Sequence, residues 1–353
     1  MTMDFSQMWQ EYDLEALEQK IDGLFPSYSF DFEELFSRIL QGDILGAIGN
    51  ALESVAGSLG AQVSGIRETL VWLLVLGILA AVITHFVDIF DNHQIADIGF
   101  YFVYLLLTTI LLRCFQEAAA VTVQTLGDLV TFIQIFIPTY LLAVGVATGA
   151  VTASAYYSLI LVLIYLVQKL LLTLVLPCIY GYVFLSVING IWIEERLTLL
   201  IDFMEKGIRL LLKISLGIVT GVSVFQSMIT PALDSVKASA LQKAVSAIPG
   251  IGNVADGVVD IILGSAAVIK NSIGVVLLIL LLAVCVAPLV KIFAIAALVK
   301  LAAALLGVIS DKRLTFCADK VGNGSILLLR TAGTAMVLFL IAISVAAFTM
   351  GRG

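Results

Sequence analysis

Long apolar segments, interrupted by single charges rather than by polar loops, dominate this chain. Tyr156–Ile188 contains one formal charge, Lys169. Leu70–Ile83, Ile98–Leu112, Leu129–Ala147, Ile214–Ile229, Val275–Val290, Ile292–Ile309 and Ile326–Phe348 are built alike. A helix rises about 1.5 Å per residue, so about 20 apolar residues cross a hydrocarbon core about 30 Å thick. A soluble domain of 353 residues has no use for this many helices apolar on every side. The expected fold is all-α. It is a polytopic helical membrane protein of roughly eight to ten spans, with broken or re-entrant helices and an amphipathic N-terminal region.

Composition agrees. Hydrophobic residues make up 61% of the chain and charged residues 13%, whereas soluble domains carry about 25% charged residues. The mean hydropathy is +1.09. The net charge of −7 is unevenly placed: eleven acidic residues stand between Asp4 and Glu53 against Lys20 and Arg38. Only the N-terminal part is thus suited to be a solvated, acidic region. Clustered Lys and Arg of the kind that binds nucleic acid are missing. The four cysteines, Cys114, Cys178, Cys285 and Cys317, are far apart and form no Cys-x-x-Cys pair, so they read as small buried hydrophobes. The first ten residues have neither a basic n-region nor an apolar h-region, and no signal peptide is expected in them.

Two regions follow from this. Residues 1–66 read as short amphipathic helices: Ile44, Ile48, Leu52, Val55, Leu59 and Val63 recur at helical spacing, and Asp31 with Glu34 has the spacing of a capping box. Residues 67–353 form the polytopic membrane domain, within which two stretches differ in kind. Residues 194–213 alternate charged and apolar positions at helical spacing, with Glu195, Asp202, Glu205 and Arg209 on one side and Leu197, Ile201, Met204 and Ile208 on the other. This is expected to be an amphipathic helix in the membrane interface, with a water-exposed extension of a spanning helix as the alternative. Residues 231–274 are rich in Ala, Ser and Gly, carry six scattered charges, and are punctuated by Ile248, Pro249, Gly250, Ile251 and Gly252. Too polar for lipid and too apolar for a free loop, they read as a broken or re-entrant hairpin facing protein or a polar cavity. The alternative is an ordinary extramembrane hairpin.

Lys and Arg in the connections set the orientation. Residues 88–98 and 148–155 have none, whereas 191–213 hold Arg196, Lys206, Arg209 and Lys213, and 310–325 hold Lys312, Arg313 and Lys320. The positive-inside rule places the latter two on the cytoplasmic face. An extracytoplasmic N-terminal region then requires five crossings before residue 191, with a break of Tyr156–Ile188 near Pro177. That arrangement puts the C-terminus outside.

No catalytic signature is present: no Walker-type loop, no His-Glu-x-x-His and no Gly-x-Ser-x-Gly. Only His85 and His93 occur, neither with a second ligand at helical spacing. The chain is expected not to be an enzyme and to need no cofactor or metal, so energy would come from a partner. The candidate functional groups are ionisable residues in membrane segments. Lys169 either lines a pore, pairs with a carboxylate such as Asp260, or snorkels. Asp260 and Lys270 lie in the unusual hairpin and are candidates for a polar pathway or an inter-subunit contact. Pro138 and Pro177 are expected to kink their helices, and Gly145 and Gly149 have a helix-contact spacing.

The order of these elements resembles the stage III sporulation protein AE family of endospore-forming bacteria. The match is most specific at Ile248, Pro249, Gly252, Asp260, Lys270, Asn271 and Gly274, and softer over residues 136–155. It covers about Leu70 to Phe348. Family members carry a signal sequence that the first residues here do not match, and a processed chain would place 1–66 outside the cell membrane. The resemblance implies a subunit of the channel or secretion-like complex joining mother cell and forespore, in the mother-cell membrane that becomes the outer forespore membrane. It also implies partners: other stage III A-operon proteins, including a separate secretion-type ATPase and ring-forming proteins, and the forespore stage II protein Q complex. A homo-oligomer forming or sealing a conduit is the leading expectation, with Lys169, Pro249, Gly252, Asp260, Lys270 and Asn271 as candidate conduit or assembly residues. A secondary transporter of a small solute, and a scaffold recruiting ring proteins through the acidic head, are the alternatives.

Overall fold

A computed structural model of the chain describes residues 93–148, 151–191, 196–245, 286–308 and 312–350, with isolated positions between 34 and 82. Regular structure among the described residues is entirely helical. Helix α1 runs over His93–Thr148, α2 over Val151–Leu170, α3 over Leu176–Ile191 and α4 over Thr198–Val245. Helices α5, Val286–Val308, and α6, Lys312–Met350, complete the bundle. Among the described residues four stretches are long and apolar enough to cross a membrane: Ile98–Thr131, Leu161–Ile191, Val286–Val308 and Lys312–Ile341.

Side-chain pairs fix the directions. The Arg313 guanidinium lies 3.7 Å from the ring centre of Phe100, and Phe115 lies beside Gly324, so α1 and α6 run the same way. The α2–α3 unit returns antiparallel to α1. The Tyr104 hydroxyl donates to the Val187 carbonyl (2.6 Å), Phe115 meets Tyr180 edge to face at 5.5 Å, and Gln134 donates to the Tyr165 hydroxyl (2.9 Å). Helix α4 runs against α3, with Asn189 at Thr198 and Tyr182 at Glu205, and therefore runs with α6, where Asp202 reaches Lys320. Helix α5 runs against α6, with Lys300 at Asp319 and Leu289 at Gly333.

One apolar core joins these helices. Leu107, Leu111, Phe115, Ala118, Leu126 and Ile133 recur along α1 at helical spacing and are buried, as are Val321, Leu328, Ala332, Ala335 and Phe339 along α6. Hydroxyls inside the core fold back on their own helices: Thr122 donates to the Ala118 carbonyl (2.8 Å), Ser186 to Tyr182 (2.7 Å) and Thr331 to Leu327 (2.9 Å). That satisfies them without water. At Gly324 the α6 backbone passes so close to α3 that a Cβ would collide with Val183. The α3–α4 turn is held by the fully buried Asn189. Its Oδ1 accepts the Leu197 amide (2.8 Å) and its Nδ2 donates to the Thr198 hydroxyl (3.1 Å), so a side chain of α3 caps the start of α4.

Several segments expected as separate are single helices. Ile98–Leu112 and Leu129–Ala147 both belong to α1, whose 56 residues extend about 84 Å. The break expected near Pro177 does not occur, because the chain stays helical from Val151 to Ile191. A π turn, Leu171–Val175, stands directly before the proline, and the Leu176 amide bonds the Leu171 carbonyl. Pro177 has no amide to complete an α-helical turn, and the wider turn absorbs that loss inside a continuous helix. Lys291 likewise lies within α5 rather than between two spans. Residues 198–213, expected as a helix in the interface, are the first turns of the 48-residue α4, which also takes in residues 231–245 of the expected hairpin. Cys114 and Cys317 are buried and Cys178 is half-buried, all three free.

Candidate functional site: a charged layer inside the bundle

Where α3, α4, α5 and α6 come together, α4 buries Ile201, Ile208 and Leu212 in the core, and charged side chains pair across the helices along the edge of that face. On α4, Asp202 and Glu205 sit one turn apart and face α6. Lys320 of α6 reaches Asp202 Oδ1 at 2.7 Å and Glu205 Oε2 at 3.9 Å. The Lys320 side chain is only 13% exposed and that of Glu205 15%. Glu205 also accepts the Tyr182 hydroxyl of α3 (3.2 Å) and both the Nε and an Nη of Arg209. A second pair lies alongside: Lys300 of α5 bonds Asp319 of α6, whose other oxygen accepts Asn323 (3.3 Å).

The outer surface at the same level is largely apolar, although Lys206, Asp202 and Asp319 also reach it. Leu199 is 86% exposed and Phe203 74%, and Phe102, Leu105, Phe184 and Val308 also point outward. A soluble protein places these residue types the other way round. Large apolar side chains on the outside, with ionisable residues paired between helices, suit a bundle whose surroundings are lipid. Asp202, Glu205 and Asp319 balance Lys320, Arg209 and Lys300, so the layer is neutral as a whole. Among the described residues no group of three or more His, Cys, Asp or Glu is placed to hold a metal. What the layer can do is lock α4 against α6 in one register and keep a polar seam through an apolar bundle.

The sequence sets Asp202, Glu205 and Arg209 on one side of the helix and Ile201 and Ile208 on the other, and Ile201 and Ile208 are the buried ones. Lys320 reads in the sequence only as a loop charge. The missing signal is the pairing of Lys320 with Asp202 across 118 positions, which no local pattern carries. Of the sequence candidates, Lys169 alone is described. It lies on the exposed face of its helix, 6.0 Å from the centre of the Tyr165 ring. Its neighbour Gln168 is the buried one: Nε2 donates to the Ala335 carbonyl (3.2 Å), and Oε1 has no partner. Pro249, Gly252, Asp260, Lys270 and Asn271 lie outside the described residues.

Comparison with known proteins settles the lineage. The family model described as Stage III sporulation protein AE matches residues 30–349. The chain belongs to the stage III sporulation protein AE family. It is 22% identical over 274 residues to Stage III sporulation protein AE of Bacillus subtilis (strain 168), covering 77% of this chain and 69% of that one. No solved structure matches. The family match spans α1 to α6 almost in full, so the charged layer lies within the part that defines the family.

Proposed function

We propose that this chain is a membrane subunit of the channel or secretion-like complex joining mother cell and forespore. It sits in the mother-cell membrane, later the outer forespore membrane, and forms or seals a conduit there. The family match carries this reading. It is supported by four long apolar helices and by opposite charges that pair between helices beside large exposed apolar side chains. Such pairing lowers the cost of carrying charge in a membrane-embedded bundle.

The basic loops give the orientation. The start of α1, the α3–α4 turn and the α5–α6 turn lie at one end, where Arg196, Lys206 and Lys312 are exposed. We place this end in the cytoplasm. One crossing by Leu70–Ile83 then puts residues 1–66 outside. Joining Ile98–Leu112 with Leu129–Ala147, and leaving Tyr156–Ile188 whole, lowers the span count from the roughly eight to ten that hydropathy alone implies. The chain has no catalytic activity of its own in this reading. A separate secretion-type ATPase of the stage III A operon drives the assembly, ring-forming operon proteins and the stage II protein Q complex complete it, and several copies of this chain associate.

The test is complementation in cells lacking the native subunit, together with affinity purification of the tagged chain. Recovery of heat-resistant spores and co-purification of the operon ATPase and ring proteins are expected. Normal sporulation without the chain would overturn the reading.

A further inference from the structure

Helix α1 changes the character of its outer face at Thr109. Before it, the outward side chains are Ile98, Tyr101, Phe102, Leu105 and Leu106, all apolar. From Thr109 to Gln134 the exposed side chains are mostly polar, with Val123 the one large hydrophobe among them. Arg113, Gln116, Gln124 and Asp128 fall on one face, because steps of three, eight and four residues return to the same side of a helix. None of these four has a hydrogen-bond or ion-pair partner among the described residues. Glu117, on the same face, meets Lys291 of α5 at 3.4 Å. The hydroxyls of Thr109 and Thr131 fold back on their own helix. Arg113 to Asp128 alone spans about 22 Å, most of the thickness of a hydrocarbon core.

The other helices differ at the same depth. The pairs Phe115–Tyr180 and Gln134–Tyr165 set residues 165–180 level with this stretch. There α2 and α3 present Leu166, Leu170, Leu174 and Tyr180 outward. The Glu117–Lys291 contact sets α5 level as well, where Val290 and Phe293 point out. Single polar side chains also stand outward on other helices at this depth: Lys169, which rests against Tyr165, Thr173, Lys213 of α4 and Arg330 of α6. Among the described residues, only α1 gathers Arg113, Gln116, Glu117 and Gln124 on one flank. A flank this polar at bilayer depth faces water or protein, not acyl chains.

We infer that the outer face of α1 from Thr109 to Thr131 is the water-bearing wall of the conduit, turned toward the axis of an assembly of copies of this chain. The inference rests on the conduit reading above. A ring suits a single polar flank, because rotation brings the same face of every copy to the axis. The apolar flanks of α2, α3 and α5 are left for lipid and neighbouring copies.

Cysteine accessibility in the full chain, reconstituted in nanodiscs, tests it. With Cys114, Cys178, Cys285 and Cys317 replaced by alanine, Gln116→Cys, Gln124→Cys and Thr131→Cys report the stripe. Leu170→Cys and Phe293→Cys report the apolar flanks at equal depth. A charged, membrane-impermeant thiol reagent is expected to modify the stripe positions about tenfold faster or more than the flank positions. Equal protection of both sets overturns the inference, because the stripe is then dry. Equal modification of both sets also overturns it, because that depth is then outside the bilayer. Each variant is first required to restore heat-resistant spores. Where the cysteine-free background fails to do so, the native cysteines are kept and their labelling is subtracted. Spore recovery with a protected stripe removes the α1 wall and leaves the membrane-subunit reading standing, whereas dispensability of the whole chain removes both.

Discussion

Lys320 shows how far a single side chain carries this fold. It is nearly buried and faces two carboxylates from α4. Lys320→Met would strand Asp202 and Glu205 without their cation, and removing one partner of a buried pair costs about 3–5 kcal/mol. Because Asp202 is 43% exposed, water offsets part of that, and a loss of about 2–3 kcal/mol is expected in denaturation of the nanodisc-embedded protein. Lys320→Met combined with Glu205→Gln is expected to lose less than the sum of the two single changes, and strict additivity would mean that they do not interact. Two glycines make an opposite pair. Gly324→Ala forces a methyl into Val183 and is expected to cost about 1–3 kcal/mol by overpacking. Gly207→Ala meets nothing within 4 Å and is expected to stabilise α4 by about 0.5–1 kcal/mol through helix propensity. Equal melting shifts for the two would contradict the close α3–α6 approach. Sequence showed that Asp202, Glu205 and Arg209 share a face, since spacing alone determines that. It did not show that Lys320 lies against that face, because Asp202 and Lys320 are 118 positions apart.

Helices here are longer than hydropathy makes them. Arg113, Glu117 and Asp128 interrupt the apolar run of α1, and Lys291 that of α5, yet neither helix breaks. A charge lowers a hydropathy average wherever it stands. It ends a helix only if the backbone loses hydrogen bonds, which a lysine or glutamate does not cause. Proline does remove one, and at Pro177 the π turn accommodates the loss. The turns between helices were legible only as short polar gaps. At the α3–α4 turn the decisive group is Asn189, buried in α3 and bonded across to Leu197 and Thr198. Asn189→Ala removes both bonds and is expected to cost about 1–3 kcal/mol. It is also expected to quicken tryptic cleavage after the exposed Arg196, and an unchanged cleavage rate would show that the cap does not hold the turn.

The described helices form a largely apolar-coated bundle with a neutral charged layer at its basic end and a polar flank along α1. Its all-helical, membrane-type character was readable from segment length, because no soluble core needs runs such as Tyr156–Ile188. The α1 flank was not readable, because Arg113, Gln116, Glu117, Gln124 and Asp128 stand among apolar residues in the sequence and separate from them only once the helix is wound and packed. In the proposed reading, copies of this chain surround a water path in the membrane. Native mass spectrometry of the nanodisc-embedded protein, alone and co-expressed with its operon partners, decides whether they do. A closed assembly at a whole-number multiple of the 37.8 kDa chain is expected. A single chain under both conditions would contradict a conduit built between copies.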